Sequence, residues 1–168
     1  MEKNSAVVLA VCVSEHKGEQ KHPVASVELK PDWGIVGDAH AGNWHRQVSL
    51  LGKESVDRLQ EKLADYKLSP GDFAENILLD GIRLYELPVG TKLALGESAV
   101  AEVTQIGKQC HQDCAIRRRA GDCVMPREDT RRRHARSGRR RPRARPGRLT
   151  IHVWRAMLMV NIEKADCL

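Results

Sequence analysis

Residues 127 to 148 hold eleven arginines against two acids, Glu128 and Asp129, and no large apolar side chain at all. Such a run cannot bury enough apolar surface to offset the entropy of ordering it. It divides the 168-residue chain into a body, residues 1–128, an Arg-rich irregular segment, 129–148, and a last apolar stretch, 149–168, that can form a strand. The formal net charge of +6 belongs to the arginine block: the block alone carries +9, which leaves −3 for everything else. The body therefore lacks the electrostatic footprint of a nucleic-acid-binding domain.

Within the body, short β-branched and alternating runs recur between glycines and prolines. "SAVVLAVCVS" (5–14) reads as a buried strand, and "VASVELK" (24–30), "QVSLL" (47–51), "ENILLDGI", "TKLALG" and "SAVAEVTQI" follow as further strands. Only "KESVDRLQEKLADY" has helical spacing, with Val56, Leu59 and Leu63 at i, i+3 and i+7, and it predicts a helix near residues 53–65. Many short strands with one clear helix predict a mainly β domain, barrel-like rather than a sandwich. The regular βαβ rhythm of a parallel sheet is missing.

"AVVLAVCV" is too short to span a bilayer and lacks the basic lead and cleavage site of a signal peptide. Five cysteines without a framework fit a reducing compartment, so a soluble cytoplasmic protein is expected.

Two segments can carry chemistry. "GIVGDAHAGNWHRQVSLL" (34–51) gathers Gly34, Gly37, Asp38, His40, Gly42, His45 and Arg46 just before a strand. Glycines admit close backbone approach, and the polar groups suit a phosphate, a metal or an anionic cofactor. A glycine loop whose polar groups merely satisfy one another fits equally well. The second segment, "IGKQCHQDCAI", follows a strand and brings Cys110 and Cys114 beside Lys108, with Cys123 and the Arg117–Arg119 cluster close behind. A zinc site would use such thiolates, but the second compact ligand pair is missing. Inert buried cysteine is a further reading. The cations alternatively favour a reactive thiolate that ligates a soft metal, and arginine forks would hold an anionic tail beside it.

"VSEHKGEQKHPV", "GIVGDAHAGNWHRQVSLL", "LSPGDFAENILLDGI", "LPVGTKLALGESAVAEVTQIGKQCHQDCAI" and "GDCVMPRE", in this order from about residue 5 to 128, resemble the MOSC domain. That is the C-terminal domain of molybdenum cofactor sulfurases, also found as small stand-alone bacterial proteins. The resemblance implies a barrel-like β fold that binds the molybdenum cofactor, a pterin dithiolene with a phosphate tail (molybdopterin). It matches Cys110 to the thiolate that ligates molybdenum and carries catalysis, and it makes His40, His45, Arg46, Lys108 and Arg127 the candidates for holding the phosphate.

The implied role is sulfuration of the cofactor, sulfur transfer or a molybdenum-dependent reduction. The chain contains no pyridoxal-phosphate domain and no flavin, haem or iron–sulfur motif. Its implied partners are therefore the cofactor and either a cysteine desulfurase or a redox partner, with no membrane.

After Glu128 the family pattern stops and the arginine block begins. A shifted reading frame in a GC-rich gene accounts for this better than a basic arm for nucleic acid or an acidic partner, because no aromatic residues interleave for base stacking. Without the family's closing strand the sheet would keep an open edge, and "LTIHVW" (149–154) is a substitute for it.

Overall fold

The computed structural model describes residues 6–96, 99–107, Arg118 and the backbone of Leu158–Lys164. These residues form nine strands and one helix: β1 Val7–Val13, β2 His22–Val24, β3 Leu29–Lys30, β4 Gly34–Ile35, β5 Val48–Gly52, α1 Lys53–Gln60, β6 Ile77–Asp80, β7 Lys92–Leu95, β8 Ala99–Ile106 and β9 Leu158–Lys164. The expected mainly β class with a single helix is what the structure shows. Seven strands make one sheet in the order β2-β1-β6-β5-β9-β8-β7, and β3 pairs with β4 apart from it. Among the described residues the outer strands β2 and β7 do not meet, so the sheet is open and the expected barrel closure is not seen.

All pairs in the large sheet are antiparallel except β5 with β6, which run parallel and are joined through α1. A parallel pair needs such a crossover, and both faces of its strands are then covered. This is why "VSLL" and "NILLD" read as continuous apolar runs. Val48, Leu50, Ile77 and Leu79 enter the main core with Leu84, Leu93 and Val103. Leu51 and Leu78 point the other way, onto Leu59 of α1 and Phe73.

The helix is shorter than its sequence predicts, closing at Gln60 instead of about residue 65. The cause lies in Gln60 itself. Its amide donates to the carbonyls of Leu63 (3.2 Å) and Tyr66 (2.8 Å) and accepts from the Leu68 amide (2.7 Å), folding the following segment back into a loop. "VASVELK" likewise splits into the ends of β2 and β3, and β4 escapes a sequence reading because two residues show no period.

The first strand also departs from expectation. Cys12 is fully buried, yet Val7, Val8 and Leu9 are 61%, 50% and 46% exposed. β2 covers β1 only from Val11 to Val13, and the pairing with β6 slips between Val8 and Ala10.

β9 lies between β5 and β8, in register from Val48↔Val160 and Val103↔Val160. The chain beyond the arginine block thus supplies a central strand, and "LTIHVW" and residues 129–148 lie outside the described residues. No helix among the described residues is long and apolar enough to cross a membrane.

Candidate functional site

The loop between β4 and β5 is built around a buried carboxylate. Gly34 opens it at φ +103, with a Cβ at this position coming within 2.8 Å of the Gln47 carbonyl, so the loop's two ends close only on glycine. Four residues on, the Asp38 side chain is fully buried. Its Oδ2 accepts from the Ser14 amide at 3.1 Å and pairs with the Lys21 ammonium, and its Oδ1 accepts from the His40 amide at 3.0 Å. Burial alone would raise the Asp38 carboxyl, but the hydrogen bonds from the His40 backbone amide and the Lys21 ammonium, with the Lys21 charge, hold it well below the usual carboxylate range. Asp38 is therefore an ionised pin joining the end of β1, the stretch before β2 and the loop.

Lys21 is as deeply placed, its side chain only 1% exposed. Its Nζ also reaches Ser14 Oγ at 3.2 Å and His40 Nδ1 at 3.3 Å, while its backbone amide donates to the Gly71 carbonyl at 3.0 Å. A buried ammonium is tolerated only when paired and hydrogen-bonded in this way.

Outward from this pin the loop presents an aromatic platform ringed by cations. The Trp44 indole N–H donates to the His40 carbonyl at 2.7 Å, which fixes the indole against the loop. The His40 ring lies nearly parallel to it (centroids 6.5 Å apart, 16° between planes), and the exposed His45 ring meets it edge-on at 6.0 Å. The Arg46 guanidinium sits 4.9 Å from the Trp44 ring centre and the Lys17 ammonium 5.2 Å, both within cation–π range. Arg46 Nε is buried and has no hydrogen-bond partner among the described residues. Thr104 Oγ1 of β8 donates to the His45 carbonyl, tying the loop to the strand that leads to Lys108 and Cys110.

His40, His45 and Arg46, which the sequence singles out, thus meet around one indole. Lys108, Cys110 and Arg127 lie outside the described residues, as do Cys114 and Cys123. Sequence reasoning passes over Lys21, Ser14 and Lys17. Nothing local marks them, because Lys21 and Asp38 are 17 residues apart and meet only in the fold. Trp44 is passed over as well, although an aromatic inside a histidine- and arginine-bearing loop is the local signal that marks it. Among the described residues no three His, Cys, Asp or Glu side chains cluster as a metal site. Cys12 is no thiolate: burial, reinforced by the Glu75 charge and only partly offset by Lys21, pushes its thiol up to about 12.

The described residues thus combine an open, mainly β sheet with a buried Asp–Lys pin beneath a cationic, aromatic loop. The sequence profile of the MOSC domain matches residues 37–157, and the chain belongs to that family. The match takes in the loop and runs on through the arginine block, beyond the 5–128 stretch that carries the motifs.

Among solved structures the fold is similar to YiiM from Geobacillus stearothermophilus (TM-score 0.54, 14% identity, 95% of this chain and 71% of that one). It is also similar to the YuaD protein from Bacillus subtilis (TM-score 0.50, 14% identity, 96% of this chain and 93% of that one). Comparison with curated proteins gives no match. The family is generally linked to molybdenum cofactor binding or sulfur transfer.

Proposed function

We propose that this chain binds the molybdenum cofactor on the loop between β4 and β5 and uses it in sulfur transfer or in a molybdenum-dependent reduction. The observation that carries this reading is the orphaned Arg46 Nε beside the Trp44 platform. A buried donor without an acceptor is costly, and an anionic oxygen supplies the missing acceptor. The donor set fits the cofactor's planar, phosphate-bearing part: Arg46 offers a fork, His40 and His45 offer ring N–H groups, and the indole offers a face for a flat heterocycle. Lys108 and Arg127 join this set by motif position.

Among the described residues no three His, Cys, Asp or Glu side chains gather to hold the metal itself. The family resemblance gives that role to Cys110, which follows Ile106, the end of β8, by four residues in the sequence. Thr104 holds the same strand against the loop, so a thiolate beyond β8 and an anion site on the loop can serve one ligand. When bound, the cofactor would supply a molybdenum centre able to carry sulfur or electrons. The protein's residues hold its anionic tail, orient its ring and keep a soft ligand at hand. A cysteine desulfurase would deliver sulfur, or a redox partner electrons.

The test is the metal and pterin content of the purified protein, with Cys110→Ser, Cys114→Ser and Cys123→Ser reconstituted in parallel. Serine keeps the volume but replaces a soft thiolate by a hard, weakly acidic hydroxyl. Loss of molybdenum in Cys110→Ser alone is expected. Normal binding there, with loss in either neighbour, moves the ligand to that neighbour. Zinc in place of molybdenum, or a salt-sensitive RNA complex without metal, ends the reading.

A further inference from the structure

Lys21 takes no direct part in the reading above, yet its position has a chemical consequence. Its ammonium has three N–H bonds and three acceptors at hand: Asp38 Oδ2, Ser14 Oγ at 3.2 Å and His40 Nδ1 at 3.3 Å. An ammonium has no lone pair, so at His40 it can only donate, and Nδ1 must offer its own lone pair in return. The competing arrangement would put a proton on Nδ1 and aim it at Asp38 Oδ1. That oxygen is 3.6 Å from Nδ1, beyond hydrogen-bond reach, and it already accepts the His40 amide at 3.0 Å. Oδ2 in turn is shared by the Ser14 amide and Lys21. The nearer partner therefore decides the tautomer.

We propose that Lys21 is a positioning residue that locks His40 as its Nε2–H tautomer, so that the ring presents one fixed donor to an anionic oxygen of the ligand. The His40 side chain is 27% exposed while those of Asp38 and Lys21 are at most 1% exposed, so its open edge is the one turned away from the pair, where Nε2 lies. Stacking on Trp44 and the indole bond to the His40 carbonyl hold the ring plane. The inference rests on the loop being the cofactor's anion site, and it narrows that reading. A metal would need the Nε2 lone pair, which this tautomer does not have, so His40 faces a phosphate or carboxylate oxygen and is not a metal ligand.

Long-range proton–nitrogen NMR of the imidazoles in the unliganded protein at pH 8, with His40 assigned by its absence in His40→Gln, reads the tautomer directly. Expected are a protonated Nε2, a bare Nδ1, and a shift of the Nε2–H signal on titration with inorganic phosphate. In Lys21→Met the Nδ1 acceptor loses its donor, and the two tautomers should average. A wild-type spectrum showing Nδ1–H overturns the proposal. So does an Nε2–H signal indifferent to phosphate, or an unchanged tautomer in a folded Lys21→Met. Should Lys21→Met not fold, the wild-type spectrum with its phosphate titration still decides. Because that spectrum needs no cofactor, it is independent of the molybdenum content that tests the wider reading.

Discussion

The Lys21 ammonium meets the Asp38 carboxylate where neither side chain is more than 1% exposed. Removing one member leaves a buried charge without its partner, which costs about 3–5 kcal/mol, whereas replacing both by apolar groups of similar volume is often neutral. Lys21→Met and Asp38→Leu should each lower the stability measured by urea unfolding by amounts in this range. The double variant should lose far less than their sum. Additive losses would show that the two charges are not coupled.

Glu75 gives the stability a pH dependence of opposite sign to that of Asp38. The residue is fully buried and its carboxylate accepts from the amides of Gly71 (2.6 Å) and Phe73 (3.1 Å). Burial pushes its carboxyl up to about 7; the backbone amides oppose this and Asp72 adds to it. The folded protein thus holds the Glu75 proton more tightly than the unfolded chain does. Its contribution is complete below the unfolded value of 4.5 and is lost as pH rises to about 7. The loss is on the order of 3 kcal/mol, from about 1.4 kcal/mol for each pH unit. Asp38, with its carboxyl depressed, works the other way: its contribution is present above the unfolded value of 3.8 and fades as pH falls below it. Urea midpoints should therefore fall from pH 5 to pH 7.5, and Glu75→Gln should flatten that slope. A flat wild-type profile would place the Glu75 proton elsewhere.

How far the sequence reaches can be seen in these same residues. The period-2 runs reveal β7 and β8, and the apolar runs reveal β5 and β6, because burial on one face or two leaves a pattern along the chain. The extent of α1 is not legible in the sequence, because Gln60 ends it through side-chain bonds that periodicity does not record. The loop with His40, His45 and Arg46 was legible because its chemistry is contiguous. Lys21 and Glu75 were not, since their partners come from other segments and a lysine or glutamate in isolation reads as surface. The open sheet could not be foreseen either, as strand order depends on pairing partners and β9 arrives from beyond the arginine block.

The Gly71–Asn76 turn supports the Lys21 backbone, and it predicts a contrast between two neighbours. A Cβ at Gly71, where φ is +93, would stand 2.0 Å from the Lys21 carbonyl oxygen. Gly71→Ala should therefore cost more than about 4 kcal/mol, the range reserved for specific steric failures. Ala74 already occupies the left-handed region at φ 59. Ala74→Gly relieves a strain of about 1–2 kcal/mol and gives back roughly half through the freer unfolded chain. Thermal melting should show Gly71→Ala falling sharply or failing to accumulate, and Ala74→Gly rising by a few degrees.

Arg46 separates charge from geometry at the candidate anion site. Its guanidinium lies over Trp44 at 4.9 Å and keeps a buried Nε without a partner, and a lysine can reproduce neither the planar fork nor that inner donor. Loss of the stacked cation and of one charge-assisted hydrogen bond is worth about 1.5–3 kcal/mol, or roughly ten- to a hundredfold in affinity. Arg46→Lys should thus bind the phosphorylated pterin at least about tenfold more weakly, although its charge is unchanged. Trp44→Leu, which removes the platform but keeps Arg46, should lose a similar amount, and its binding should stay more sensitive to salt than that of Arg46→Gln. Isothermal titration at two ionic strengths measures all three. If Arg46→Lys binds like the wild type, the site senses charge alone and the fork has no role in holding the ligand.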